Sequence, residues 1–116
     1  MALVGEADGF AAVVPAGSPW RNEVSPGLFA SIVAHRPYTR TGGLACPAWF
    51  GRGERDISVH GPSIGRAAEL APAGTLVSYP QHDHWTPFQD GAQSAIAADQ
   101  VAFLRDVGLL SATSQD

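Results

Sequence analysis

Thr75-Leu76-Val77-Ser78-Tyr79 is a short run of β-formers, preceded by the breaker Pro72-Ala73-Gly74 and closed by Pro80. Its length and composition predict a strand. Upstream, Cys46-Pro47-Ala48-Trp49-Phe50-Gly51 is a second apolar run between breakers, and it predicts a buried strand over 46–51. Between the two, Ile64, Ala67, Ala68 and Ala71 recur at helical spacing and predict a helix over 63–71. Beyond the second strand, Ala92, Ile96, Phe103 and Val107 form the inner face of a helix expected over about 91–107, with Asp90 as its cap. Residues 46–107 therefore read strand–helix–strand–helix. Strands joined through a helix pair in parallel, with a right-handed crossover. The loops that follow such strands lie at the carboxyl edge of the sheet, where open α/β sheets bind ligands.

The first of these loops contains Gly53-Glu54-Arg55-Asp56, and the second contains His82-Asp83-His84-Trp85. The topology thus places an acid and an imidazole on one sheet edge, from neighbouring strands. A carboxylate beside an imidazole fixes the ring's tautomer and stabilises the imidazolium that forms when the ring takes a proton. Taken singly, Asp56 reads as a solvated loop carboxylate or an ion-pair partner of Arg52 or Arg55, and His84 as a surface residue. Their joint placement favours a catalytic pair.

The residues before 46 are less regular. Phe10 to Val14 is a short apolar run followed by Pro15-Ala16-Gly17-Ser18-Pro19-Trp20, which reads as loop. Ser25 and Pro26 suit a helix start, and Leu28, Phe29, Ile32 and Val33 then share one helical face until Pro37 stops the helix near His35 and Arg36. Thr41-Gly42-Gly43 reads as a further break. The single cysteine, Cys46, excludes an internal disulfide and reads as a small buried residue at a strand start.

Over nearly its whole length the chain resembles the C-terminal half of an α/β-hydrolase. The resemblance is carried by Cys46–Asp56, Ala71–Pro80, Asp83–Phe88 and Ala98–Arg105. It implies a partial α/β-hydrolase fold in three parts: a cap- or linker-like helical segment over 1–45, the C-terminal core portion over 46–110, and a tail over 111–116. It also implies that Asp56 is the triad acid and His84 the base, within a Gly-His-Phe-like turn that here reads Asp83-His84-Trp85. His82 is a second imidazole nearby and the fallback base. The activity implied is hydrolysis of an ester or related acyl bond through an acyl-serine, with a small-molecule substrate and no cofactor.

The nucleophile is the missing member. Gly61-Pro62-Ser63-Ile64-Gly65 satisfies G-x-S-x-G literally, but a nucleophile elbow needs a strand running directly into the turn. About ten loop residues separate Ser63 from its strand, and the chain order would be Asp, Ser, His. Ser63 is therefore read as helping to cap the helix that follows, and it stays only a weak candidate nucleophile. Ser18 and Ser25 lack a preceding strand, and no oxyanion donors are identifiable. The serine is expected from a truncated coding region, a split partner or an upstream extension, which leaves the chain inactive alone.

Two other readings of the same residues remain. The chain also reads as a non-catalytic remnant or interaction module docking through an exposed sheet edge. His82, Asp83 and His84, with Asp56 or His60, could alternatively hold a metal, although no further ligand spacing supports that and no metal is expected. Trp49, Trp85 and Phe88 read as core or cleft wall, and Trp20, Phe29 and Trp85 equally as walls of an acyl pocket or as buried core.

Composition sets the outer bounds. The chain has 116 residues, 45% of them apolar, and a formal net charge of −4. All 7 basic residues are arginines, scattered along the chain, so no basic stripe for nucleic acid exists. No apolar run is long enough for a membrane span, and the amino-terminal stretch lacks the positive charge of a signal peptide. A cytoplasmic location is expected, with no membrane or nucleic-acid partner. Two parallel strands alone leave edges unpaired, so instability, homo-oligomerisation or docking onto a partner chain is expected.

Overall fold

The computed structural model describes residues 6–21, 23, 25–32, 35–89 and 91–110. It is a small mixed α/β structure built on a two-stranded parallel sheet, with four α-helices in the order α1 (Glu6–Val13), α2 (Gly27–Ile32), β1 (Ala48–Gly53), α3 (Gly61–Leu70), β2 (Gly74–Tyr79) and α4 (Ala92–Asp106). The strands pair in register from Ala48 opposite Gly74 to Gly53 opposite Tyr79. Because side chains alternate across a sheet, Ala48, Phe50 and Arg52 share one face with Leu76 and Ser78. Trp49, Gly51 and Gly53 share the other with Val77 and Tyr79.

The strand–helix–strand–helix order matches the pattern read from residues 46–107. The first strand sits two residues later than expected, because Cys46-Pro47 stays outside the ladder: proline has no N–H to give it. Cys46 is consequently exposed rather than buried at the strand start. Pro80 ends the second strand for the same reason. Pro62 lies in the first turn of α3, where its missing N–H costs nothing.

That helix begins at Gly61, with His60 rather than Ser63 in the capping position and no side-chain cap bond. Ser63 is instead the third residue of the helix, and its hydroxyl lies 2.8 Å from His60 Nδ1. The helix packs across both strands, and its Ala67 and Ala68, with Ala71 just beyond, are buried.

On the second face of the sheet the Tyr79 hydroxyl donates to Asp99 of α4 at 2.7 Å, while α4 itself packs on the turn over 86–88. Ala92, Ile96, Phe103 and Val107 are all partly buried, as the helical spacing predicts. The Asp90 cap lies outside the described residues. Gly91, at the amino end of α4, adopts a φ of 83° that glycine tolerates.

Before the sheet, the chain departs further from expectation. Residues 6–13 form a helix where only an apolar run was expected, and Pro37–Gly43 forms a 3-10 helix over the supposed break. α2 is short, and its Leu28 and Ile32 are exposed rather than packed. The Phe29 side chain, Val33 and the tail over 111–116 lie outside the described residues.

The three alanines are the only buried side chains among the described residues. The chain exposes 8737 Å², against about 6,000 Å² for a self-contained monomer of this mass. Apolar burial is the main favourable term in folding, so stability alone should be low. Far-UV circular dichroism is expected to show a broad, low-midpoint melt, or a concentration-dependent one if copies associate. A sharp, high and concentration-independent transition would contradict this.

Candidate functional site

The parallel register brings the ends of β1 and β2 side by side, and two backbone bonds tie the loops that follow. Glu54 N–H donates to Tyr79 O at 3.0 Å, and Arg55 N–H donates to His82 O at 3.0 Å. This close approach needs a glycine: a Cβ on Gly53 would lie 2.6 Å from His82 O.

The tied loops set Asp56 against His84. Asp56 Oδ1 accepts from the N–H groups of Ser58 at 2.8 Å and Val59 at 3.0 Å, an Asx turn that fixes the carboxylate. Its second oxygen, Oδ2, lies 3.1 Å from His84 Nδ1. An ionised carboxylate only accepts, so Nδ1 carries a proton, and in the neutral ring Nε2 holds the lone pair. Both side chains are partly buried.

Asp83 shapes the same turn. Its Oδ1 accepts from Trp85 N–H at 2.9 Å, Thr86 N–H at 2.8 Å and the Thr86 hydroxyl at 2.8 Å. The Thr86 hydroxyl, then its N–H, hold the Asp83 carboxyl below the usual carboxylate range. Asp83, which stands where the resemblance expects glycine, is thus an anchor for the turn that presents His84.

His82 is placed differently. Its ring stacks on Tyr79 with centroids 4.9 Å apart, and its enclosed Nδ1 has no hydrogen-bond partner among the described residues. The carboxylate pairs with His84, not with the fallback imidazole. Burial first, then the Asp99 hydrogen bond and charge, push the Tyr79 phenol well above its ordinary range.

The pair opens on a cavity of about 310 Å³ whose walls include Trp49, Arg52, Tyr79, His82 and Phe88. Trp49 and Phe88 are therefore cleft walls rather than core. Tyr79 and Arg52 were not singled out from sequence, yet alternation along the paired strands already puts Tyr79 on the Trp49 face. Trp20 and Trp85 are not among the cleft walls. They pack around Phe10 of α1, with ring centroids 4.5 and 5.3 Å from it.

Ser63 borders a different cavity, beside His35, Tyr38 and Phe50. The structure does not bring it together with Asp56 and His84. Among the described residues no group of three or more His, Cys, Asp or Glu side chains could hold a metal ion, and none of the helices is long and apolar enough to cross a membrane.

The fold and site together define a small α/β protein with a carboxylate–imidazole pair at the carboxyl edge of a parallel sheet. No family model, curated protein or solved structure matches the chain.

Proposed function

We propose that Asp56 and His84 are the acid and base of a hydrolase acting on ester or related acyl bonds, with the α/β-hydrolase type of site as the template. The observation that carries this reading is the 3.1 Å approach of His84 Nδ1 to a carboxylate whose other oxygen is pinned by two N–H groups. Such a pair leaves Nε2 free to take a proton from an attacking oxygen. In a complete site that oxygen belongs to a serine on a further strand. Ser63 does not suit the role, since it sits inside the first turn of α3.

An activated ester tests the pair without a serine. With 4-nitrophenyl acetate, Nε2 takes a proton from water as the water oxygen attacks the acyl carbon. The tetrahedral intermediate then expels 4-nitrophenolate and leaves acetic acid, which ionises to acetate, and the imidazolium returns its proton to solvent. His84→Gln is expected to lower the protein-dependent cleavage rate about a hundredfold, the low end of general-base contributions. His82→Gln should retain the rate within about twofold of the parent, an effect too small to mark a catalytic base. Equal rates for the His84 variant and the parent would overturn the proposal.

The second reading, a non-catalytic interaction module, is favoured by the exposed apolar side chains Trp20, Ile32, Ile57 and Phe88. It gains weight if the chain is inert toward the ester.

A further inference from the structure

The cleft beside His84 has polar groups that are mostly committed elsewhere. The Trp49 Nε1 is enclosed and without a hydrogen-bond partner among the described residues, so the indole meets the cleft through its carbon framework. The Tyr79 hydroxyl is bound to Asp99, and Arg52 donates to Ser78 at 2.9 Å and lies 3.7 Å from Glu54. Much of what remains toward the cavity is apolar, aromatic from Trp49, Tyr79 and Phe88 and aliphatic from Val59, Ile64 and Ile96. Trp49 and Tyr79 meet at 52° with centroids 6.5 Å apart, and Phe88 lines the same space while 61% exposed.

The charge on this wall is negative. Asp56 and Asp83 both line the cavity, and the one described cation lining it, Arg52, is paired with Glu54. A cleft of tilted aromatic rings with excess carboxylate repels anions. It attracts a weakly hydrated cation, because ring faces carry negative quadrupole density and hold cations within about 6 Å of their centroids.

We infer that this cleft binds an alkylammonium group, seated against Trp49 and Phe88 with Asp83 and Asp56 balancing its charge. Of the hydrogen-bonding side chains in these walls, Arg52 is engaged by Ser78 and Glu54, and Gln100 supplies an amide. The inference needs no hydrolysis and so stands apart from the proposed chemistry.

Choline and 3,3-dimethyl-1-butanol test it, since they share a shape and differ by one positive charge. The chain is titrated into each ligand and the methyl proton resonance followed by NMR. Choline methyl protons should move upfield from aromatic ring currents, with binding about two- to fivefold tighter than the neutral alcohol, in line with an exposed cation–π contribution. Trp49→Phe keeps an aromatic ring and should weaken choline binding severalfold. Phe88→Ala, at an exposed position cheap to the fold, should weaken it about threefold.

No methyl shift at millimolar choline with the folded parent would overturn the inference. Equal binding of the neutral alcohol would do so as well, as would parental affinity in both variants. Choline carries no ester, so its binding and the cleavage of 4-nitrophenyl acetate fail or succeed independently.

Discussion

Asp56→Asn is expected to cut protein-dependent 4-nitrophenyl acetate cleavage about a hundredfold, to the level of His84→Gln, with the circular dichroism spectrum unchanged. The asparagine keeps an oxygen for the Ser58 and Val59 N–H groups, so the Asx turn survives. What changes is the atom facing His84. An amide NH₂ donates where the carboxylate accepted, and Nδ1 must then be the lone-pair nitrogen. The proton moves to Nε2, and the ring loses its base at the cleft. Asp56→Ala should lose the rate too, but through a loosened loop, which a changed spectrum would reveal. Parental activity in Asp56→Asn would show that the carboxylate positions the chain and nothing more.

Gly74→Ala should be the most damaging substitution in the sheet. Gly74 opens β2 and pairs with Ala48, and a Cβ there would drive into Ala68 O and lie 3.0 Å from Ala71 Cβ. The first obstacle is backbone in α3, which cannot rotate away as a long side chain could. Either the strand leaves its register or the helix lifts from the sheet, and both uncover the three buried alanines. Such overpacking costs about 3 kcal/mol, a large share of what so thin a core can supply. Urea unfolding should show the midpoint moved far below that of the parent. Gly43→Ala is the control, because a Cβ there meets nothing within 4 Å; its effect should stay within about 0.5 kcal/mol. Comparable midpoints for the two variants would contradict the packing described.

The part of the fold after residue 46 was legible because its signals are local and mutually consistent. Trp49-Phe50 and Leu76-Val77 are strand formers between breakers, and the alanine-rich segment between them has helical spacing. Parallel pairing follows from that order alone, and with it the placement of Asp56 near His84. The segment before 46 was less legible. Gly9 weakens α1 as a sequence signal, yet it lies against the Trp85 indole, which a Cβ at that position would strike at 2.5 Å. That tertiary contact is invisible in a linear pattern.

The cleft walls were legible only in part. Trp49 and Phe88 read as either core or wall, and the choice depends on which faces the helices cover. Tyr79 reads as a strand residue, and only the register with Gly53 and the bond to Asp99 place it beside the site. Two expectations failed through local chemistry. Pro47 kept Cys46 out of the strand, and Pro62 moved the start of α3 ahead of Ser63, so the serine became a helical residue bonded to His60.

The tautomer of His84 tests the central pairing most directly. With ¹⁵N-labelled protein, long-range ¹H–¹⁵N spectra at neutral pH distinguish a protonated Nδ1 from a protonated Nε2. The expected result is that the neutral form of the ring carries its proton on Nδ1, shifting to Nε2 in Asp56→Asn. A His84 ring protonated on Nε2 in the parent, or one indifferent to Asp56→Asn, would contradict the acid–base pair.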